Sequence, residues 1–512
     1  MDADLVIIGS GIGGASLAAA LAPSGLRILI LEKGQRLGPC PEARDDRAIF
    51  LRGHFAPTEQ WLSSDGTPFV AGNHYAVGGN SKFYGAVMYR FREADFAPRR
   101  HFEGVTPGWP LAYAELSPWY DAAEAMFRVR GQGGEDPTDP PRNQPYGWPA
   151  VPDEPVIAEV RRRLKCAGAH PASLPLAIDI GAWLAGGQTG WDAFPNTGMG
   201  KIDAESGPLT EALTHDNVRL LTGAEVIRLD TDPSGARIIG ALVRGEGRDI
   251  MIRARGFALA AGAVQSAALL LKSANAAHPS GLANGSDQVG RNFMNHNSSA
   301  MLTINPLLRN TSVYQKTLSL NDFYDADPQT RAPLGNVQGL GRVTAAVLKS
   351  NMRWLPMPLA RVLAAYAFGW FLQSEDLPDP ESRVTFRDGR IVIHWQRSNM
   401  RAHRALIQRT RELMKRAGFP IVLTRTFGVR TTSHQCGTAR LGQDAATSVV
   451  APDLRSHQIG NLWITDASVL PTSAAVNPAL TVAALALRAA EGIRKFLTTN
   501  DDHLRQWEDR HE

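Results

Sequence analysis

Cysteine is scarce in this chain of 512 residues. Only Cys40, Cys166 and Cys436 occur. An odd set without a CxxC spacing argues against a disulfide framework and against cysteine-held zinc or iron–sulfur. Clustered charge of one sign is also missing. The 54 Lys and Arg residues oppose 50 Asp and Glu, spread without a basic block. Duplex binding needs a clustered basic face, so no nucleic-acid partner is expected. No run approaches the roughly 20 apolar residues of a membrane span. The nearest, WLPMPLARVLAAYAFGWFL at 354–372, carries two prolines and Arg361 and reads as a packed helix. Met1 leads almost at once into the first strand, leaving no room for a signal peptide. A cytoplasmic location is expected, with co-export beside a signal-bearing partner left open. His74, His101, His170 and His296 fit no ligand spacing; they read as surface or packing histidines, and no metal is expected.

What is present is ordinary globular composition, 44% hydrophobic and 20% charged, in a chain too long for one simple core. Residues 4–32 read as a βαβ unit. The strand DLVII is a nearly continuous apolar run, as in a strand buried on both faces. The following helix runs to about Ala22, where Pro23 and Gly25 end it. LSPWYDAAEAMFRV is a short amphipathic helix with Pro118 at an early position. Residues 207–233 predict a helix and then strands; 236–261 predict further strands, and Gly262 turns the chain into the helix AVQSAALLLKS. Between 300 and 400, strand-like patches (VTAAVL, SRVTF, RIVIHW) alternate with apolar, proline-containing segments. They suggest a second domain on a mostly antiparallel sheet. Residues 401–418 form a helix with basic residues on one side, and the chain after Leu497 is polar and frayed.

The chemistry-bearing motifs stand near the two ends. Gly9-Ser10-Gly11-Ile12-Gly13-Gly14 follows the first strand and opens the first helix. Gly9 permits the tight turn, Gly11 lets backbone approach a pyrophosphate, and Gly14 lets helix and strand pack closely. The helix N-terminus then offers free N–H groups and the positive end of its dipole to phosphate. Glu32, eighteen residues after Gly14, can accept from ribose hydroxyls and would repel a 2′-phosphate. The chain holds no second strand–GxGxxG–helix for a separate nicotinamide domain, which favours FAD over NAD. Near the other end, Asp466 closes the strand of NLWITDASVLP. It reads as an N-cap or a pyrophosphate or ribityl contact. His434 lies in the glycine-containing loop TTSHQCGTARLG. Asn477 stands before Pro478, which suits a first helical position, and the helix ALTVAALALR. A neutral imidazole suits a proton acceptor near pH 7, and an amide can hold an oxygen in place. Cys436 reads as a buried neighbour, with no cationic cluster to lower its pKa.

HQCGTARLG, SVV and NLWITDASVLPTSAAVNPALTVAALALR resemble the C-terminal signature of the glucose–methanol–choline (GMC) oxidoreductase family. GGNSKFYGAVMYRFREADF resembles that family's flavin-cradling loop, LAAGAVQSAALLLKS its second signature, and VGRNFMNH a further segment. The resemblance implies an α/β protein (α+β overall): a Rossmann-like FAD-binding domain interleaved with a substrate domain on a mostly antiparallel sheet with helices. The boundaries it suggests are 1–150, 200–299 and 430–497 for the FAD domain. Residues 151–199 and 300–429 would form the substrate domain, and 498–512 a polar tail. By position, His434 would be the active-site base and Asn477 its partner. Gly9, Gly11, Gly14 and Glu32 would bind the ADP half, and Val226 would present backbone to the adenine. Gly79, Asn80 and Ser81 would lie near the flavin, and Asp466 near the pyrophosphate or ribityl chain; Pro478 completes the cofactor set. Members with covalent flavin carry His near where Phe83 stands, so FAD is expected to be non-covalent.

The resemblance thus implies oxidation of an alcohol to a carbonyl, with hydride passing to flavin N5 and the hydroxyl proton to His434. The loop 78–96 looks most like sugar- and glycoside-acting branches. An aryl or aliphatic alcohol is the alternative within the class, and a non-redox flavin scaffold or isomerase the alternative outside it. The electron acceptor (oxygen, a quinone or a redox protein) is not encoded in these motifs.

Overall fold

The structure is a computed structural model that describes residues 2–499 apart from 188, 189, 199, 246, 315, 432 and 433. Five parallel strands form one sheet: β1 (Ala3–Ile8), β2 (Ile28–Glu32), β3 (Val218–Thr222), β4 (Ala254–Leu259) and β5 (Leu462–Ile464). Their order is β3-β2-β1-β4-β5, with Leu5 opposite Ile28 on one side and Gly256 on the other. β1, β4 and β5 are buried almost throughout, because helices cover both faces. Helix α1 (Ile12–Leu21) is built of small residues and packs against α3 (Ala479–Thr499), while α2 (Ala263–Lys272) follows β4. Pro23 and Gly25 (φ +76°) end α1 through a short 3-10 turn.

A second sheet has six strands, all antiparallel, in the order 421–426, 297–304, 367–374, 336–342, 318–320 and 171–173. One face carries Val337, Trp370, Leu372, Leu318 and Met301 into a core shared with the helices Pro155–Cys166 and Met400–Arg416. The period of two puts Asn336, Gln338, Phe371 and Gln373 on the opposite face, with Asn336 paired to Gln373 and Gln338 to Phe371. That face looks toward the first sheet.

Three sequence expectations change. VTAAVL at 343–348 is not a strand: Thr344 caps the helix Ala345–Asn351, its hydroxyl accepting the Val347 N–H at 3.3 Å. The segment 354–372 is not one packed helix. Pro356 caps the helix Met357–Ala364, and Ala367–Ser374 is a central strand whose aromatic alternation suits a pleated surface. Trp354 is 77% exposed. Pro118 lies in the second turn of the helix Tyr113–Met126, which starts earlier because the Glu115 carboxylate takes the Ala112 N–H at 2.7 Å. The strands Arg383–Arg387 and Arg390–His394 form as expected, but in a four-stranded sheet with Trp61–Ser63 and Pro68–Phe69. Among the described residues no helix is long and apolar enough to cross a membrane. Of the tail at 498–512, Thr498 and Thr499 end α3, and residues 500–512 lie outside the described residues.

Candidate active site

A cavity of about 720 Å³ lies between the two sheets. Its wall includes Gly9, Gly11, Glu32, Gly79, Asn80, Ser81, Val226, His434, Asp466, Asn477 and Pro478. Gly14 alone of the expected site residues is not on it. A Cβ on Gly14 would come within 2.0 Å of the Gly9 carbonyl oxygen, so its part is the close packing of α1 on β1.

The glycines divide by what surrounds them. Gly9 holds φ +105°, and a Cβ there would meet the Ala260 carbonyl at 2.4 Å. A Cβ on Gly11 would meet no protein atom within 4 Å; it would project into the cavity where a ligand's backbone approach belongs. Glu32 is buried beside this turn. Its carboxylate accepts from the Ser10 N–H (3.0 Å), the Ser10 hydroxyl (2.7 Å) and the Gly34 N–H (2.8 Å), while burial raises its pKa. Asp466 accepts from the Gly262 N–H (2.9 Å), the Ser468 N–H (2.8 Å) and the Ser266 hydroxyl. It caps the 3-10 turn Ala467–Val469, and burial raises its pKa too. Val226 stands at a register shift in the strand Glu225–Thr231, where a bulge re-aims the backbone.

The loop carrying Gly79–Ser81 is tied down by buried charge. Lys82, 3% exposed, pairs with Asp203 (3.2 Å) and Glu205 (2.6 Å); Arg90 pairs with Asp121 (2.6 Å) and Glu124 (2.7 Å). Removing Lys82 would leave the buried Asp203 carboxylate without its ion-pair partner, at a cost of roughly 3–5 kcal/mol. Asn80 accepts the His74 N–H at 2.8 Å. Ser81 donates to the Gly78 carbonyl and accepts from the Ala204 N–H at 3.0 Å. Both side chains therefore shape the loop. Phe83 stacks on His74 with ring centroids 3.7 Å apart.

At the far end of the cavity, His434 and Asn477 meet: Asn477 Nδ2 is 3.3 Å from His434 Nε2. Asn477 precedes α3 as expected, but Pro478 is the cap and not the first helical residue; its carbonyl takes the Val482 N–H at 3.0 Å. Three factors push His434 well below the usual histidine range: first burial, then the neighbouring His296 and the Lys316 ammonium. Its ring is therefore neutral near pH 7. Cys436 is buried and its thiol is pushed well up, so it is no nucleophile.

Sequence reasoning passed over five residues here. His296, taken for a surface or packing histidine, is fully buried with Nδ1 2.8 Å from His434 Nδ1. Lys316 and Asp192 form a 3.0 Å ion pair on the cavity wall. Gln338 and Gln373 donate to Asn477 Oδ1 at 2.6 and 3.2 Å. A signal existed for the glutamines: each follows an apolar residue, Val337 or Leu372, within a strand, NVQGLGR or AFGWFLQS.

A parallel sheet with a glycine turn at the N-terminus of α1, a buried carboxylate closing β2, and a neutral His–Asn pair across one cavity define a dinucleotide-dependent oxidoreductase. Models of the GMC oxidoreductase family match residues 182–298 and 378–486, and a NAD(P)-binding Rossmann-like model matches 7–54. The chain is 30% identical to the paromamine 6′-oxidase of Streptomyces fradiae, covering 96% of this chain and 91% of that protein. It is 28% identical to the 6‴-hydroxyparomomycin C oxidase of Streptomyces lividus, covering 97% and 92%. The crystal structure of pyridoxine 4-oxidase from Mesorbium loti has the same fold, with a TM-score of 0.67 over 96% of this chain and 99% of that one, at 20% identity. The chain belongs to the GMC oxidoreductase family, an FAD-dependent class of enzymes that oxidise CH–OH groups. The open cradle at Gly11 and the buried Glu32 fit the ADP half of that cofactor.

Proposed function

We propose that the protein oxidises a hydroxyl of a sugar or glycoside, with His434 as the base and Asn477 holding the substrate oxygen. The observation that carries this reading is the 3.3 Å contact between Asn477 Nδ2 and the neutral His434 Nε2, on the wall of a cavity that also holds Gly11 and Glu32. FAD supplies the hydride acceptor when bound. His434 Nε2 takes the hydroxyl proton as hydride leaves the carbinol carbon, and the Asn477 amide orients the oxygen. The polar wall supports a polyol: Asp192 offers acceptors and Lys316 donors beside the pair. The names of the two Streptomyces relatives, oxidases of paromamine and of hydroxyparomomycin C, point to the same substrate class. A second reading, an aryl or aliphatic alcohol, draws on Leu340, Phe371 and Phe427 in the same wall. FAD is held without a covalent bond in this proposal, since Phe83 offers no nucleophile. The domain division proposed is 1–150, 200–299 and 430–497 for cofactor, with 151–199 and 300–429 for substrate.

Anaerobic mixing of the purified yellow protein with sugars, aminosugar glycosides, and benzylic and aliphatic alcohols tests this. Bleaching by the sugar group alone supports the first reading, and bleaching by the benzylic or aliphatic group alone supports the second. No bleaching by any member favours a non-redox scaffold and sinks the proposal. Readmitted air then reports whether oxygen reoxidises the flavin. His434→Ala should lower the reduction rate on the order of 10²- to 10⁴-fold with flavin content unchanged.

A further inference from the structure

The two ring nitrogens of His434 are not equivalent, and a base needs its lone pair on the side facing substrate. Which nitrogen carries the hydrogen is set by a line of buried polar groups that enters the site from both directions.

One direction starts at a backbone carbonyl, which only accepts. The Ser473 carbonyl lies 2.9 Å from His296 Nε2, so His296 carries its hydrogen on Nε2. Burial pushes His296 below the usual histidine range, so near pH 7 the ring holds only that hydrogen. His296 Nδ1 is then a bare acceptor 2.8 Å from His434 Nδ1, and the hydrogen between them must sit on His434 Nδ1.

The other direction starts at a carboxylate. Asp136 is paired with Arg92 at 2.6 Å and accepts from Asn321 Nδ2 at 2.6 Å. That fixes the Asn321 amide, whose Oδ1 accepts from Asn336 Nδ2 at 2.7 Å. Asn336 Oδ1 in turn accepts from Gln338 Nε2 at 2.8 Å and Gln373 Nε2 at 3.2 Å. Both glutamines give their second hydrogen to Asn477 Oδ1. Asn477 is left presenting Nδ2 to His434 Nε2, which must therefore be the bare nitrogen. The two lines reach the same answer.

We infer that His296 and the amide line Asp136–Asn321–Asn336–Gln338/Gln373–Asn477 are positioning elements that hold His434 in the Nδ1–H form, keeping the Nε2 lone pair toward the cavity. The inference rests on the reading of His434 as the base for its catalytic meaning, but the tautomer itself is observable without turnover.

The direct test is long-range ¹H–¹⁵N correlation on the FAD-loaded, ¹⁵N-histidine-labelled protein at pH 7.5, with His434→Gln and His296→Gln assigning the two rings. The expected result is a protonated Nδ1 and bare Nε2 for His434, and the mirror image for His296. A His434 protonated at Nε2 would overturn the inference. In turnover, His296→Leu should lower kcat on the order of ten- to a hundredfold, with KM within twofold and flavin content unchanged. His296→Gln keeps a donor for Ser473 and an acceptor for His434, and should recover most of the rate. A His296→Leu enzyme at the parent kcat, or no recovery in His296→Gln, counts against the role of His296. If the tautomers are as stated but His434→Ala still turns over at full rate, the base assignment fails and the tautomer inference stands.

Discussion

The two sheets treat their inward faces in opposite ways. The parallel sheet is mostly apolar through β1, β4 and β5, and what it offers a ligand is chiefly backbone, the Gly9–Gly11 turn and the N-terminus of α1, with the two carboxylates of Glu32 and Asp466. The antiparallel sheet buries Asn336, Gln338 and Gln373 on its inward face and offers side chains. The pyrophosphate is common to dinucleotide cofactors, and backbone suffices to grip it. A substrate differs from enzyme to enzyme, and only side chains can be exchanged to match it.

The glycines of the parallel sheet allow the largest test of this contrast. Gly14→Ala places a methyl 2.0 Å from the Gly9 carbonyl, and Gly13→Ala places one 1.8 Å from the Thr465 carbonyl. Backbone cannot yield there cheaply, so either change should cost several kcal/mol and leave little folded protein in a thermal melt. Gly11→Ala meets no protein atom. It should fold with a near-parent melting temperature when stripped of flavin, yet show a reduced flavin-to-protein absorbance ratio. Equal flavin loading in Gly11→Ala would mean that this turn does not approach the cofactor.

A buried polar residue of the antiparallel half should carry an acid-sensitive share of stability. His403 is held between Ser299, whose hydroxyl is 2.7 Å from Nε2, and Ser374, whose hydroxyl is 3.0 Å from Nδ1. Burial first, and then the Arg397 cation, lower its pKa from 6.5 to about 3. The unfolded chain takes up a proton near 6.5, and the folded protein does not until about 3. The stabilisation is therefore complete above 6.5 and is lost as pH falls through that window. At pH 4.5 the loss amounts to about 3 kcal/mol relative to pH 7.5, at about 1.4 kcal/mol per unit. Unfolding free energies from urea titrations at these two pH values should differ by that much more in the parent than in His403→Gln. An equal pH dependence in both proteins would remove His403 from the account.

The same contrast governs what could be read from sequence. The glycine turn, Glu32 and Asp466 could be singled out because local spacing marks them: strand, turn and helix follow one another without reference to the rest of the chain. His434 and Asn477, 43 positions apart, stood out only because their two segments resemble the family's C-terminal signature. His296, Lys316 and Gln338 did not stand out. Their meaning depends on long-range pairing: His296 reaches His434 across 138 positions, and Gln338 reaches Asn477 across 139. The split of 354–372 failed for a related reason. Apolar runs of that length carry no period that separates helix from strand, and only the pairing of Ala367–Ser374 with two neighbours decides it.

Smaller effects sharpen the picture. The proposed base, His434, must be neutral to act, and its burial, His296 and Lys316 all disfavour the charged ring. A plot of kcat/KM against pH should stay flat from 8 through 6.5, the ordinary histidine value, and fall only below it. Lys316→Met removes one of the opposing cations, so its acid limb should move to higher pH. A parent limb centred at or above 6.5 would contradict the environment described for His434.

The smallest effect is expected where apolar composition misled most. Trp354 belongs to the longest apolar stretch of the chain, yet 77% of its surface is exposed, ahead of the helix Met357–Ala364. Trp370, sixteen residues on in the same stretch, is 2% exposed and bonds its indole N–H to the Thr303 hydroxyl at 2.9 Å. Trp354→Ser should shift stability by no more than about 0.5 kcal/mol, whereas Trp370→Ala should cost about 3–5 kcal/mol. Thermal melts of the two variants compare one residue type in one sequence run at opposite extremes of burial. A loss at Trp354 matching that at Trp370 would mean that this surface is covered in solution.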